Sequence, residues 1–139
     1  MAVTAAAAFA SSTTAGYTVR TTPTTSVLAG ATDSIASPAI DTSVNSIENK
    51  KIVCGIDIKV NFTDNAAHFD YQLSHNGTDW TADVQISSDG APAMTAAGGP
   101  YLHILDLADV YAPYVRFVWN TNGATLGTSG TMQFFFAYK

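Results

Sequence analysis

The sequence predicts an all-β fold: a β-sandwich or jelly-roll-like domain with an extended N-terminal arm. Three observations carry this. Ile52, Cys54, Ile56, Ile58, Val60 and Phe62 fall on one side of a period-2 pattern, with Val53, Gly55, Asp57, Lys59 and Asn61 on the other, the signature of a strand with one buried face. Asn76-Gly77 sits between two alternating runs, and Asn-Gly is a strong hairpin signal because both residues tolerate positive φ. Further short alternating runs follow between Gly/Pro/Asn loops, with no credible long helix among them.

Residues 1–49 form the predicted arm and 50–139 the β-domain. The arm is rich in Ala, Thr and Ser, and Arg20 is its only basic residue. Its Ala run favours a helical turn, but Ser11-Ser-Thr-Thr-Ala-Gly16 stops one. Pro23, Pro38 and the β-branched Thr runs favour extended backbone, with short strands at Tyr17–Arg20 and Ser26–Leu28. Disordered tails carry more charge and less Ala and Val, so an arm that orders against a partner is expected.

In the domain, Thr63–Asn65 reads as a turn. Phe69, Tyr71 and Leu73 alternate with polar neighbours, as do Trp80, Ala82, Val84 and Ile86, so residues 68–87 read as a hairpin with Trp80 packed inward. Residues 88–100 and 121–130 read as loops. Tyr101–Leu107 is a strand, as is Tyr114–Asn120 with Val115, Phe117 and Trp119 inward and Arg116 outward. The last strand, Thr131–Tyr138, aligns Met132, Phe134, Phe136 and Tyr138.

At 139 residues the chain is one domain, or one domain plus an arm, long enough to bury its core without a staple. Hydrophobic residues make up 47% and charged residues only 12%, about half the usual charged share of roughly 25%. Surfaces of Thr, Ser, Asn and Ala suit permanent contacts, since burying them costs little desolvation compared with Lys. The net charge of −5 argues against nucleic acid or an anionic membrane as partner. The N-terminus lacks the basic region of a signal peptide, and no apolar run approaches the roughly 20 residues that span a bilayer. The single cysteine, Cys54, excludes an internal disulfide and reads as a buried, inert thiol.

No catalytic signature stands out. His68, His75 and His103 lie apart, without zinc-ligand spacing. The acidic residues are Asp apart from Glu48. Asp79, Asp83, Asp89, Asp106 and Asp109 cluster around turns, where Asp usually bonds local amides, and no EF-hand loop is present. A non-enzymatic protein without metal or cofactor is expected. Tyr101, Tyr111, Tyr114 and Trp80 are the aromatics considered for stacking on sugars, with core or subunit packing favoured for Trp80.

Tyr71-Gln-Leu-Ser-His-Asn76-Gly77-Thr-Asp-Trp80, followed by Ala112-Pro113-Tyr114-Val115-Arg116-Phe117, resembles β-sandwich proteins of tailed-bacteriophage particles. Many of these carry Ser-x-Asn/Asp-Gly-x-x-Trp after a strand and a later Tyr-Val/Ile-Arg strand. The match spans roughly residues 68–119. The resemblance implies a virion protein of the capsid decoration or cement type, assembled in the host cytoplasm. Its implied partners are the major capsid protein and copies of itself, a trimer being one expected state, with no nucleic acid or membrane. The residues expected to make these contacts are Tyr17, Val19, Arg20, Val27, Leu28, Ile35 and Ile40 in the arm, with Tyr111 and Tyr114 among the surface aromatics. The rival readings are a carbohydrate- or receptor-binding module of a phage fibre, with its site in loops 88–100 and 121–130, and a tail-tube or connector subunit.

Overall fold

A computed structural model of the chain describes residues 3–27, 30, 32–43, 47, 50–58, 68–86, 101–107, 110, 112–121 and 130–139. The described strands are β1 (Val3–Ala5), β2 (Ala10–Thr14), β3 (Tyr17–Thr21), β4 (Thr25–Val27), β5 (Ser34–Ala36), β6 (Ile40–Asp41), β7 (Lys51–Ile58), β8 (His68–Ser74), β9 (Val84–Gln85), β10 (Tyr101–Asp106), β11 (Tyr114–Asn120) and β12 (Gly130–Tyr138). They form two 6-stranded sheets. Sheet A runs β1-β5-β11-β8-β9, with β6 also on β11. Sheet B runs β10-β7-β12-β3-β2, with β4 also on β12. All pairings are antiparallel except β1 with β5. The fold is all-β and of the β-sandwich kind.

The period-2 pattern decides what lies between the sheets. From sheet B, Ile52, Cys54 and Ile56 of β7 and Met132, Phe134, Phe136 and Tyr138 of β12 are buried. From sheet A, Phe69, Val115, Phe117 and Trp119 are buried. Phe117 meets Phe136 across the sandwich at a centroid distance of 6.4 Å, and Phe69 sits 5.6 Å from Phe117. Each such side chain contributes about 1.5–3 kcal/mol by leaving water. Burial pushes the Cys54 thiol up to about 12, so it is inert at neutral pH.

Residues 3–43, within the segment that the sequence presents as an arm, supply six strands to these sheets. β2 and β3 form a hairpin through Ala15-Gly16, with φ of 51° and 81°. Positive φ at both turn residues matches the strand twist, which is why Gly16 belongs there.

Two hydroxyl–proline steps let this segment follow both sheets. At Thr22-Pro23, between β3 and β4, the Thr22 N–H donates to the Phe134 carbonyl (2.9 Å) and Thr22 Oγ1 accepts from the Phe134 N–H (2.9 Å). At Ser37-Pro38, between β5 and β6, the Ser37 N–H donates to the Phe117 carbonyl (2.8 Å) and Ser37 Oγ accepts from the Phe117 N–H (2.9 Å). A proline has no N–H for a ladder. The preceding hydroxyl therefore stands in for a strand carbonyl and keeps the β11 and β12 amides satisfied.

Candidate functional site

Ser74–Trp80 is templated by its own side chains. Ser74 Oγ accepts from the Asn76 and Gly77 N–H groups at 3.2 and 2.9 Å. Asn76 Oδ1 accepts from the Thr78 and Asp79 N–H groups, each at 2.9 Å, while its Nδ2 donates to Asp79 Oδ2 at 2.7 Å. Gly77 takes φ 79°, and its Cα faces the Tyr114 ring. The chain returns as β9, which pairs Val84 with Tyr71 and Gln85 with Asp70. A hairpin thus closes over residues 68–86, but its returning limb is regular only at β9.

The irregular part differs from the inward Trp80 that alternation predicts. Residues 80–83 pass over the outer face of sheet A, and Arg116 Cζ stands 4.4 Å from the centroid of the half-buried Trp80 ring. A cation over an indole is worth about 0.5–2 kcal/mol. An outward Arg beside the hairpin competes successfully with the core for this amphipathic ring.

Below Trp80 lies a connected polar network. Arg116 Nε donates to Gln72 Oε1 (2.7 Å), and Gln72 Nε2 donates to Asp83 Oδ1 (2.6 Å). Asn120 Nδ2 donates to Asp83 Oδ2 (2.7 Å) and Asp70 Oδ2 (2.9 Å). His68 Nδ1 and Asp70 Oδ1 are 2.5 Å apart. Asp70 is fully buried, and His68 and Gln72 nearly so. Partial burial first, and the nearby Asp70 charge second, hold the Asp83 carboxyl above the usual carboxylate range. Burial lowers the Arg116 pKa, with Asp83 opposing; an arginine remains charged regardless.

Beside the turn, a groove of about 450 Å³ is lined by the apolar Leu73, Ala112 and Pro113, by Trp80, and by the polar Ser74, His75, Asp79 and Thr81. A smaller cavity of about 200 Å³ opens between the sheets, with Arg20, Ile40, Phe136 and Tyr138 among its walls. No group of three or more His, Cys, Asp or Glu suited to a metal ion occurs among the described residues.

Sheet B presents a different outer face. Its register aligns Leu102, Gly55, Phe135 and Thr21 in one cross-strand row and Ile104, Val53, Ala137 and Val19 in the next. Neither row carries a charge. Leu102 and Ile104 are 61% and 62% exposed. Charges border the rows: Asp57, opposite Gln133, at one end, and Lys51 with Asp106 (3.8 Å) at the other.

The residues expected to make contacts separate into different environments. Tyr17 and Val19 lie on the outer face of sheet B, Tyr17 exposed beneath Lys139 Nζ at 5.2 Å. Arg20 turns the other way and lines the inter-sheet cavity. Ile35 and Ile40 are buried in the core. Val27 pairs its backbone with Gly130. Tyr114 is half-buried against Gly77 on the outer face of sheet A. Leu28 and Tyr111 lie outside the described residues, as do most of the loops 88–100 and 121–130. The Leu102–Ile104 pair is not among the expected contact residues, although two apolar residues at i and i+2 beside an inward Leu105 are a usable signal.

Comparisons with protein-family models, curated proteins and solved structures find no match to this chain.

Proposed function

We propose that this protein is a virion structural subunit, a decoration or cement protein of a tailed-bacteriophage capsid that binds the major capsid protein and copies of itself. The observation that carries this reading is the outer face of sheet B. Two uncharged rows there end in Leu102 and Ile104, both largely exposed, on a chain with only 12% charged residues. Solvent-facing apolar side chains grouped on one sheet face mark a surface that is covered in an assembly.

The motif around Asn76-Gly77 and Trp80 adds the resemblance to phage β-sandwich proteins. The N-terminal strands add a second means of attachment. They pair by backbone with β11 and β12 and bury Ile35 and Ile40 in the core, and the same contacts made with a neighbouring copy would tie subunits together. Many weak contacts repeated over a lattice give strong net attachment.

The test is electron microscopy of the purified protein mixed with phage capsids stripped of accessory proteins. Density at regular lattice positions is expected, and it is lost in the Leu102→Lys/Ile104→Lys double variant while the fold, followed by circular dichroism, persists. Absence of capsid binding, with rings or fibres formed by the protein alone, would move the assignment to the tail.

A further inference from the structure

We infer that the groove beside the Asn76-Gly77 turn binds a neutral carbohydrate, a function beyond capsid attachment and independent of it. The groove joins apolar lining residues to a set of uncommitted polar groups. Among the described residues, both ring nitrogens of His75, the Trp80 indole N–H and Asp79 Oδ1 hold no hydrogen bond. Thr81 Oγ1 accepts from the Leu73 N–H (3.0 Å) and keeps its own proton to donate. The residues that line the groove therefore include both donors and acceptors, as hydroxyl groups that both give and take hydrogen bonds require. Leu73, Ala112, Pro113 and Trp80 in the lining supply apolar contact for the C–H surfaces of a sugar ring. The volume of about 450 Å³ falls within the range of roughly 300–1,000 Å³ of small-molecule sites.

Charge narrows the ligand class. A cationic ligand would seek the Trp80 ring, but Arg116 already stands over it at 4.4 Å, so such a ligand would have to compete with Arg116 for it. An anionic ligand would meet the Asp79 carboxylate in the groove wall. The Arg116 charge that would offset this is engaged below, with Nε on Gln72 and Asp83 near enough to raise its pKa. A neutral, polyhydroxylated ligand meets neither penalty. The site is also partly pre-organised: Asn76 holds Asp79 through both its backbone N–H and its Oδ2, so little order has to be gained on binding.

The two tryptophans make the test direct, because Trp119 is fully buried in the core and Trp80 lines the groove. The ¹⁵N-labelled full chain is titrated with maltotetraose, cellotetraose, chitotetraose and mannotetraose. Separate titrations use tetramethylammonium and a sulfated disaccharide. At least one neutral oligosaccharide is expected to shift the Trp80 indole signal saturably while Trp119 stays in place. Asp79→Ala and Trp80→Ala should each weaken binding by about tenfold, the equivalent of roughly 1.4 kcal/mol. Trp80→Phe keeps the apolar wall without the N–H and should weaken it less. Since Trp80→Ala also removes the partner of Arg116, the exposed His75→Ala serves as the variant that leaves the fold intact, with a weakening of a few-fold. No saturable shift with any of the four neutral sugars, or a shift with tetramethylammonium or the sulfated disaccharide alone, overturns the proposal.

Discussion

β11 and β12 occupy equivalent places in their sheets. Each pairs along one edge with a strand of the later chain, β8 or β7, and along the other with an N-terminal strand interrupted at a hydroxyl–proline step. Each sends aromatic residues into the same core. Their outward residues are opposite in character. β11 presents Arg116 and Asn120 to a network that reaches Asp70 and His68. β12 presents Phe135 and Ala137 within rows that hold no charge. One construction thus carries a face whose polar groups satisfy each other and a face whose apolar groups have no such closure. The first adds polar cohesion to that of the shared core, and the second offers apolar contact to other subunits.

One substitution on each face separates the two most clearly. Asp70→Ala removes the partner of His68 and one acceptor of Asn120 in a buried setting. A loss of about 3 kcal/mol is expected by urea unfolding. Ile104→Lys on the exposed face of sheet B should change stability by no more than about 0.5 kcal/mol. Equal costs would show that the outer face of sheet A is not what holds the chain together.

The shared construction predicts a smaller and matched effect. Thr22→Val and Ser37→Ala each strip an acceptor from a buried central-strand amide, that of Phe134 or Phe117. Each should cost about 2 kcal/mol in the same unfolding experiment. A large cost in one and none in the other would mean that only one sheet depends on its hydroxyl–proline step.

The smallest effect is a pH dependence confined to sheet A. Asp83 has its pKa raised by burial and by Asp70, so the folded chain binds this proton more tightly than the unfolded chain. Its contribution therefore favours folding in acid relative to neutral pH and is lost as pH rises through the folded pKa. Relative to Asp83→Asn, the wild type should lose a little thermal stability as pH rises through the carboxylate range and then level off. A wild-type curve parallel to that of the variant would remove Asp83 from the account. The outer face of sheet B has no counterpart within its two apolar rows.

Much of the core is legible in the amino-acid sequence. Alternation assigns Ile52, Cys54 and Ile56 of β7, Val115, Phe117 and Trp119 of β11, and Met132, Phe134, Phe136 and Tyr138 of β12 to the interior, and all of these are buried; the side chain of Ile58 and the whole of Val60 and Phe62, assigned inward by the same pattern, lie outside the described residues, as does the turn at Thr63–Asn65. The hairpin at Asn76-Gly77 and the outward Arg116 follow from the same local rules. The strands β1 and β2 do not, because Ser/Thr/Ala runs show no apolar period; β2 is exposed along its whole length and owes its place to pairing with β3. Local spacing misplaces Trp80 because its distance to Val84 and Ile86 suits a strand, while its actual partner belongs to β11, far along the chain.

The all-β class, the inward faces of the main strands and the sharp turn follow from local residue pattern, since each depends on a two-residue period or on the backbone freedom of one or two residues. The passage of residues 80–83 over sheet A, the place of Ala112-Pro113 in the lining of a groove beside the turn, and the alignment of Leu102 and Ile104 with Val53, Phe135 and Val19 belong to the assembled fold. These features arise where strands distant in sequence fall into register. That register is set by the total burial and hydrogen bonding of two whole sheets, not by any short stretch of chain.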